Sequence, residues 1–371
     1  MGKFEETIPN FESNLESKAY EKMRKEAFDY IARGAGEEAT MQENRHAFDK
    51  WKIRPRVLRD VSKRDLTISL FGNTLKTPIL LAPIGVQRIA HQNGELDSAK
   101  VAASLGIPYI VSSAASFAMD EIAQVSENNM RWFQLYCSLE DSVTESLLKR
   151  AEENGYSAIV ITVDTPELGI RKADHRNKYS PLSEGNGCGN YLSDPAFCGL
   201  LEKSPSEDLE AALKKQIEII DRPGFNWDEL SKIRSYTNLP ILLKGILHPD
   251  DAQLALEYDV DGIIVSNHGG RQLDHCISSL DALPEICQVV NGRIPVLLDS
   301  GIRSGVDVFK AIALGADAVL LGRPYIYGLA IDGEDGVAHV IENILHELDV
   351  SMALAGVRSL NEIHSGLLVK P

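Results

Sequence analysis

The sequence is poor in cysteine and lacks a metal-binding pattern. Its 371 residues include five cysteines, an odd number without the paired short spacing typical of a metal site. We therefore expect reduced thiols, as in a cytoplasmic protein, and no bound metal. One alternative stays open, a disulfide between Cys188 and Cys198, which flank a loop.

Positive charge and long apolar runs are also scarce. The chain has 38 Lys and Arg against 54 Asp and Glu, a net charge of −16, which argues against nucleic acid or an anionic membrane as a partner. No hydrophobic run reaches the length of a membrane span. Residues 1–6 carry no apolar segment of the kind that begins a secretory signal, so we expect none.

No Gly-x-Gly-x-x-Gly run follows a strand, so a nicotinamide-binding Rossmann unit is not indicated. From Thr77 onward the chain instead repeats a short apolar strand, a loop and an amphipathic helix, a pattern typical of a parallel sheet covered by helices. Eight such strands predict an α/β fold, a closed (β/α)8 TIM barrel, with an open doubly wound sheet as the alternative. The predicted strands are residues 78–82, 107–111, 131–135, 158–163, 240–244, 262–265, 295–299 and 318–321.

The rest of the chain is organised around this barrel as one domain, residues 1–371. Helical spacing over residues 15–50 predicts an N-terminal helical extension within a lead-in of residues 1–76. The barrel covers residues 77–330, and residues 331–371 form a C-terminal helical region. A long insertion after the fourth strand, residues 178–225, holds an irregular stretch (180–199) and a charged helix (206–220). We interpret it as a lid over the barrel mouth.

The most informative motif is Ser-Asn-His-Gly-Gly-Arg-Gln-Leu-Asp at residues 266–274, directly after the sixth strand. It places the imidazole of His268 and the guanidinium of Arg271 at one strand end. An imidazole takes up a proton near neutral pH, and a guanidinium binds a carboxylate through two hydrogen bonds. Because active sites of TIM barrels lie at this end of the strands, the motif indicates oxidation of a small hydroxy acid.

The ends of the last two strands indicate a phosphate site, since glycine amides and arginines there commonly bind phosphate in such barrels. These residues are Gly301, Arg303, Gly322 and Arg323. Lys244, at the end of the fifth strand, would put a positive charge beside an electron-rich ring, as reduced flavin requires. The pattern therefore indicates a phosphorylated cofactor between the phosphate site and His268.

Across these motifs the chain resembles the FMN-dependent L-2-hydroxy acid oxidases and dehydrogenases, which include glycolate oxidase, lactate oxidase and lactate 2-monooxygenase. The resemblance extends from about Tyr30 to Arg323. Its motifs are Asp-Tyr-Ile-Ala-Arg-Gly-Ala at 29–35, Trp-Phe-Gln-Leu-Tyr at 132–136, Thr-Val-Asp-Thr-Pro at 162–166, and residues 266–274. It implies a (β/α)8 barrel, FMN as cofactor, and a 2-hydroxy acid with O2 as small-molecule partners.

The resemblance also implies a role for each site residue. His268 would be the base, taking a proton as the Cα hydride passes to flavin N5, with Asp164 and Tyr136 completing the catalytic group. The substrate carboxylate would bind Arg171 and Arg271, assisted by Tyr30. The cofactor would be bound by Pro83, Ile84, Gly85, Ser112, Gln134, Thr162, Lys244, Ser266, Asp299, Gly301, Arg303, Gly322 and Arg323.

Three positions differ from the commoner family pattern. Ala114 replaces the Trp of glycolate oxidases, Gly85 replaces the Ala of lactate oxidases, and Ser300 replaces a commoner Gly. Gly85 and the segment 322–330 look most like lactate 2-monooxygenases, which turn L-lactate into acetate, CO2 and water.

The resemblance also implies a homo-oligomer, a tetramer or octamer. The alternatives are an L-lactate oxidase forming pyruvate and H2O2, another 2-hydroxy acid oxidase or dehydrogenase, an FMN-dependent isomerase, and a barrel retained only for binding.

Overall fold

The computed structural model describes residues 14–127 and 129–370. The predicted absence of a secretory signal concerns residues 1–6, which lie outside these ranges. Its strands are β1 (Lys52–Ile53), β2 (Ile68–Leu70), β3 (Asn73–Leu75), β4 (Ile79–Leu81), β5 (Tyr109–Ser112), β6 (Arg131–Leu135), β7 (Ile159–Thr162), β8 (Ile241–Ile246), β9 (Gly262–Val265), β10 (Val296–Leu298), β11 (Ala318–Leu321) and β12 (Leu368–Val369).

The α-helices alternate with the strands over most of the chain. They are α1 (Leu15–Lys22), α2 (Lys25–Ala32), α3 (Ala39–Asp49), α4 (Gly94–Leu105), α5 (Met119–Val125), α6 (Asp141–Glu153), α7 (Lys172–Asn177), α8 (Gly189–Leu192), α9 (Pro195–Cys198), α10 (Leu209–Ile219), α11 (Trp227–Arg234), α12 (Pro249–Glu257), α13 (Ser279–Val290), α14 (Gly305–Ala313) and α15 (Arg323–Ala355). No described helix combines the length and apolar content needed to cross a membrane.

Strands β4 to β11 form a closed parallel barrel in chain order, and β11 pairs with β4 to close it. Successive side chains of each strand point to opposite faces of the sheet. Both faces are buried, one inside the barrel and the other beneath the surrounding helices. Leu80 and Val160 belong to the core inside the barrel, whereas Ile79 and Leu81 pack outward against the helices. The predicted (β/α)8 TIM barrel is therefore confirmed, and the open sheet is excluded.

The predicted strands agree with this barrel in position and number. Strands β6, β9 and β11 have the predicted bounds, and each of the others overlaps its prediction. Strand β8 continues two residues beyond its predicted end, to Ile246, past an irregularity between Lys244 and Ile246. Gly245 adopts a φ of 117° there, a conformation that glycine tolerates and that the apolar pattern does not reveal.

Helices α1 to α3 form the predicted N-terminal extension, and α2 and α3 pack near the mouth of the barrel. The hairpin β2–β3 contacts the barrel floor, where the rings of Phe71 and Trp132 meet edge to face at 5.6 Å. Because the floor is filled by side chains, ligands reach the barrel from its opposite end.

The insertion after β7 is more helical than the sequence indicated. The stretch predicted as irregular contains α8 and α9, and the predicted charged helix is α10. The predicted boundary at residue 330 falls inside α15, beside a break at Asp332 and Gly333. Cys188 and Cys198 are free thiols that donate to the carbonyls of Gly185 and Leu192, so the alternative disulfide is absent.

Candidate active site

A cavity lies at the carboxyl ends of the barrel strands, bounded by α2, by the loops after the strands and by the insertion. Most residues that the resemblance assigned to substrate and cofactor line it together. They are Tyr30, Pro83, Ile84, Gly85, Ser112, Tyr136, Arg171, Lys244, His268, Arg271, Asp299, Gly301, Arg303, Gly322 and Arg323.

Four predicted residues do not line this cavity and instead support residues that do. Gln134 accepts a hydrogen bond from Ser112 (2.9 Å) and donates one to Thr162 (3.0 Å). Ser266 hydrogen-bonds Lys244, and Asp164 lies behind His268. These residues hold the wall of the cavity in position.

His268 follows β9 and is held in a left-handed conformation, with φ of 57°, which is rare for a residue other than glycine. Its Nδ1 lies 2.9 Å from Oδ1 of Asp164, and Nε2 has no partner among the described residues. Burial lowers the pKa of His268 below its usual value, and the Asp164 carboxylate opposes this shift. The resting imidazole is therefore a neutral base, and the Asp164 carboxylate is positioned to stabilise its protonated form.

The N-terminal extension fixes the loop that carries His268. The side-chain amides of Asn267 and Asn44 donate to one another, at 2.7 and 2.8 Å. At the end of the loop, Asp274 accepts hydrogen bonds from the backbone amides of Glu37 (2.7 Å) and Thr40 (3.0 Å). The geometry of the motif thus depends on contacts with residues more than two hundred positions earlier.

Two guanidiniums flank the ring of Tyr30. The centre of the ring lies 4.9 Å from Cζ of Arg271 and 5.7 Å from Cζ of Arg171. Arg271 donates to the carbonyl of Tyr30, and Arg171 donates to Gln272 (3.3 Å) and to the carbonyl of Arg271 (3.3 Å). Burial and the neighbouring Arg171 lower the pKa of Arg271 to about 9. Arg171 also lies 4.0 Å from the carboxylate of Asp174, and an entering carboxylate would give the two guanidiniums a further counter-charge.

Tyr136, directly after β6, brings a phenol to the same part of the cavity. Burial raises the pKa of its hydroxyl well above the usual value, and the Asp164 carboxylate adds to this shift. The group therefore stays protonated and can donate a hydrogen bond to a substrate oxygen.

Lys244 and Asp299 form a buried ion pair, with Nζ and Oδ2 2.8 Å apart. Although burial disfavours the charged lysine, Asp299 raises the pKa of Lys244 above its usual value. Ser266 accepts from Lys244 (3.1 Å) and donates to Asp299 (3.2 Å). A fixed positive charge thus lies in the cavity wall between His268 and two arginines, Arg303 in the loop after β10 and Arg323 at the start of α15.

Arg303 and Arg323 form that far end. Burial lowers the pKa of both, that of Arg303 to about 10 with a contribution from Arg323. Neither forms an ion pair with a carboxylate of the described residues: Arg303 donates to the carbonyl of Ile302, and Arg323 to backbone carbonyls that include those of Ile31 and Gly269. Two half-buried cations beside Gly301 and Gly322 are the donor set that a phosphate dianion requires.

These groups fit the FMN that the sequence indicates. Arg303 and Arg323, with the glycine amides, would hold the phosphate, and Asp299 would face the ribityl hydroxyls. Lys244 would stand at the electron-rich edge of the ring, and Ser112 would supply a polar contact to it, with Gln134 and Thr162 supporting Ser112 from behind. The residues after β4, from Pro83 to Gly85, form the adjacent wall.

Gly85 packs directly on the loop after β5. A Cβ built on Gly85 would lie 2.6 Å from the carbonyl oxygen of Ala114 and 3.1 Å from its Cβ. The amide of Val86 also donates to that carbonyl (2.9 Å). A larger residue at position 85 would therefore require one of the two loops to move.

Sequence reasoning missed the part of the cavity supplied by the insertion. Leu182, Ile217, Ile220 and Asp221 line it, together with Leu168 from the loop before α7. No motif signals these residues, because they are apolar or acidic side chains in a segment without strand pattern. Their position follows from how the insertion folds back over the barrel mouth.

Comparison with known proteins places this site in a family. The model of the family described as FMN-dependent dehydrogenase matches residues 19–370. The chain is 48% identical over 358 residues to an L-lactate oxidase of Lysinibacillus sphaericus, which covers 96% of this chain and 92% of the relative. It is 42% identical over 356 residues to a 2-hydroxyacid oxidase of Dictyostelium discoideum, which covers 96% of this chain and 89% of the relative.

Solved structures of related enzymes resemble this chain in fold. Mandelate oxidase superposes with a TM-score of 0.85 at 37% identity, covering 96% of both chains. A mandelate oxidase variant with a C4a-OH-FMN adduct gives a TM-score of 0.83 at 38% identity, covering 94% of this chain and 96% of that one.

Proposed function

The chain belongs to the FMN-dependent dehydrogenase family and oxidises a 2-hydroxy acid with FMN as cofactor; we propose that its substrate is L-lactate and that it is a lactate 2-monooxygenase. The observation that carries the proposal is the placement of His268, paired with Asp164, in one cavity with Arg171 and Arg271. This arrangement offers a base and a carboxylate site to one small molecule. When bound, FMN supplies the acceptor for the electron pair that leaves the substrate.

Substrate binding would begin at the two guanidiniums. Arg171 and Arg271 would bind the carboxylate, and the hydroxyl of Tyr30, which lies between them, would donate a further hydrogen bond to it. Their hydrogen bonds to backbone carbonyls and Gln272 restrict the side chains before substrate arrives, which reduces the entropy lost on binding. The substrate hydroxyl would then lie towards His268 and Tyr136.

His268 would take the hydroxyl proton on Nε2. Its lowered pKa keeps the imidazole neutral in the resting site, and the Asp164 carboxylate stabilises the imidazolium once it forms. Tyr136 would donate a hydrogen bond to the oxygen as it becomes a carbonyl. The proton thus stays on a residue of this chain until the site is reoxidised.

Gly85 and Ala114 support the monooxygenase assignment within the family. Both are small, and their loops touch, so space beside the reacting carbon depends on this contact. A site that retains pyruvate and peroxide together yields acetate and CO2, whereas one that releases them separately is an oxidase. The L-lactate oxidases among the relatives favour that second candidate.

Product analysis of the purified flavoprotein with L-lactate in air tests the proposal. Acetate without free peroxide supports a monooxygenase, and pyruvate with an equal amount of peroxide supports an oxidase. Reduction of FMN without oxygen consumption would indicate a dehydrogenase. An FMN that L-lactate does not reduce under nitrogen would contradict L-lactate as substrate and would direct attention to other 2-hydroxy acids.

We also propose that the protein is a homo-oligomer, a tetramer or octamer, and that it acts in the cytoplasm. Light scattering of the FMN-loaded protein at micromolar concentration tests the first of these proposals, and a monomeric mass would contradict it.

A further inference from the structure

Asp221 carries a carboxylate into the substrate cavity from the end of the insertion, two residues after α10. Its side chain forms no hydrogen bond and no ion pair with any residue that the structure describes. Burial raises the pKa of this carboxyl above its usual value, the neighbouring Glu167 adds to the shift, and Arg171 opposes it. A carboxylate without a partner at a cavity wall interacts electrostatically with any charged group of a ligand that enters the cavity.

The other charged groups of the cavity already have assigned partners. The described cations that line it are Arg171, Arg271, Lys244, Arg303 and Arg323. The first two would bind the substrate carboxylate, Lys244 is paired with Asp299, and the last two would bind the cofactor phosphate. No cation of the lining remains to receive a second carboxylate.

The side chain of a bound 2-hydroxy acid has one direction left. With its carboxylate at the arginines and its hydroxyl at His268, the remaining substituent must face the wall made by the insertion and the loops beside it. That wall is lined by the apolar residues Ala114, Leu168, Leu182, Ile217 and Ile220, by the hydroxyl residues Thr165 and Ser180, and by the carboxylate of Asp221.

We propose that Asp221 makes the enzyme discriminate by the charge at the far end of the substrate. Neutral apolar side chains are accepted, cationic ones are tolerated, and 2-hydroxy diacids are rejected because their second carboxylate meets a like charge without a compensating cation. The inference rests on the proposed function and deepens it, since it defines the class of acid that the site admits.

The test compares two acids of the same shape. L-Malate and L-2-hydroxy-4-methylvalerate differ in whether the far end is a carboxylate or an isopropyl group. Rates of FMN reduction under nitrogen give kcat/KM for each, in the wild type and in Asp221→Asn, Asp221→Lys and a control, Asp251→Asn. Asp251 is a control because it does not line the substrate cavity. It lines a second cavity, which adjoins the first at Tyr136, Thr165, Ile220 and Asp221.

We expect Asp221→Asn to raise kcat/KM for L-malate about tenfold relative to the neutral acid, and Asp221→Lys to raise it further, because a like-charge repulsion is removed and then reversed. Asp251→Asn should leave the ratio unchanged. A ratio that stays constant in both Asp221 variants, or equal losses for both acids, would overturn the proposal.

Binding of unreactive analogues separates this inference from the proposed function. Succinate and 4-methylvalerate lack the hydroxyl, and their dissociation constants are obtained from changes in FMN absorbance. If the wild type oxidises no 2-hydroxy acid, the proposed function fails. The change in the ratio of these two constants in Asp221→Asn still decides the role of Asp221.

Discussion

Nδ1 of His268 and Oδ1 of Asp164 lie 2.9 Å apart, although the residues are 104 positions apart in the chain. The contact joins the ends of β9 and β7, which are separated in the barrel by β8. It fixes which ring nitrogen faces the carboxylate and leaves Nε2 for the substrate. The pairing therefore determines both the orientation of the base and its affinity for a proton.

Replacing Asp164 with Asn should shift the pH profile as well as lower the rate. Asp164 opposes the lowering of the His268 pKa by burial, so removing its charge lowers that pKa further. A base works above its pKa, so the acid limb of kcat/KM, expected below pH 6.5 in the wild type, should move to lower pH. The plateau should fall about 10²- to 10⁴-fold, because the imidazolium loses its counter-charge.

The control for this change is His268→Ala, which should retain FMN but lose most turnover and the acid limb with it. A profile for Asp164→Asn that moves to higher pH would contradict the assigned pairing. Near-normal turnover in His268→Ala would remove this residue from the mechanism.

The substitution Arg271→Lys should weaken catalysis through the geometry of binding. An ammonium retains the charge but not the planar pair of donors, so we expect kcat/KM for L-lactate to fall about 10- to 100-fold, mostly through KM. Steady-state kinetics measure this. Arg293→Lys is a matched control, because within the described residues Arg293 donates only to the nearby carbonyls of Val289 and Val290. Unchanged kinetics in Arg271→Lys would place the carboxylate elsewhere.

The sequence predicts the barrel strands and the polar residues at their ends, but it does not predict the part of the site that the insertion supplies. The strands are near-continuous apolar runs because both of their faces are buried, and polar residues at their ends face the mouth, so both follow from local pattern. The insertion has no such pattern, and the placement of Leu182 and Asp221 depends on long-range packing. The contact between Gly85 and Ala114 depends on the register of neighbouring strands, which composition does not reveal.

Gly85→Ala should disturb the loops beside the cofactor. The new Cβ would meet a backbone oxygen, that of Ala114, which has no flexible end to yield, so we expect a loss of about 1–3 kcal/mol in stability. If the enzyme is a monooxygenase, separating these loops should also move products from acetate towards pyruvate and peroxide. Thermal unfolding and product analysis measure the two effects.

Gly224→Ala is the matched control for that change, because a Cβ at Gly224 meets nothing within 4 Å. Equal stability of the two variants would mean that the loops at Gly85 and Ala114 part without cost. An unchanged product ratio would separate the Gly85 contact from the fate of peroxide.

Glu95, on α4, ties together the loops that carry Gly85 and Ala114, and its burial makes the tie dependent on pH. One carboxylate oxygen accepts hydrogen bonds from the amides of Gln87 (3.0 Å) and Ser116 (2.9 Å), and the other has no partner in the described part of the chain. Burial raises the pKa of Glu95 from 4.5 to about 7. Because the folded-state pKa is raised, the stability linked to this group is present below pH 4.5 and is lost as pH rises through 7.

Glu95→Gln removes this loss, since an amide has no proton to release over that range. Between pH 5 and 8.5 the wild type should therefore lose about 2 kcal/mol more stability than the variant, whatever the fixed cost of the buried amide. Unfolding midpoints of both proteins in saturating FMN, at the two pH values, measure the difference. Glu202→Gln, at an exposed position, should follow the wild type at both pH values. Parallel midpoints for wild type and Glu95→Gln would mean that Glu95 keeps one protonation state throughout, and the loops it joins would then be insensitive to pH.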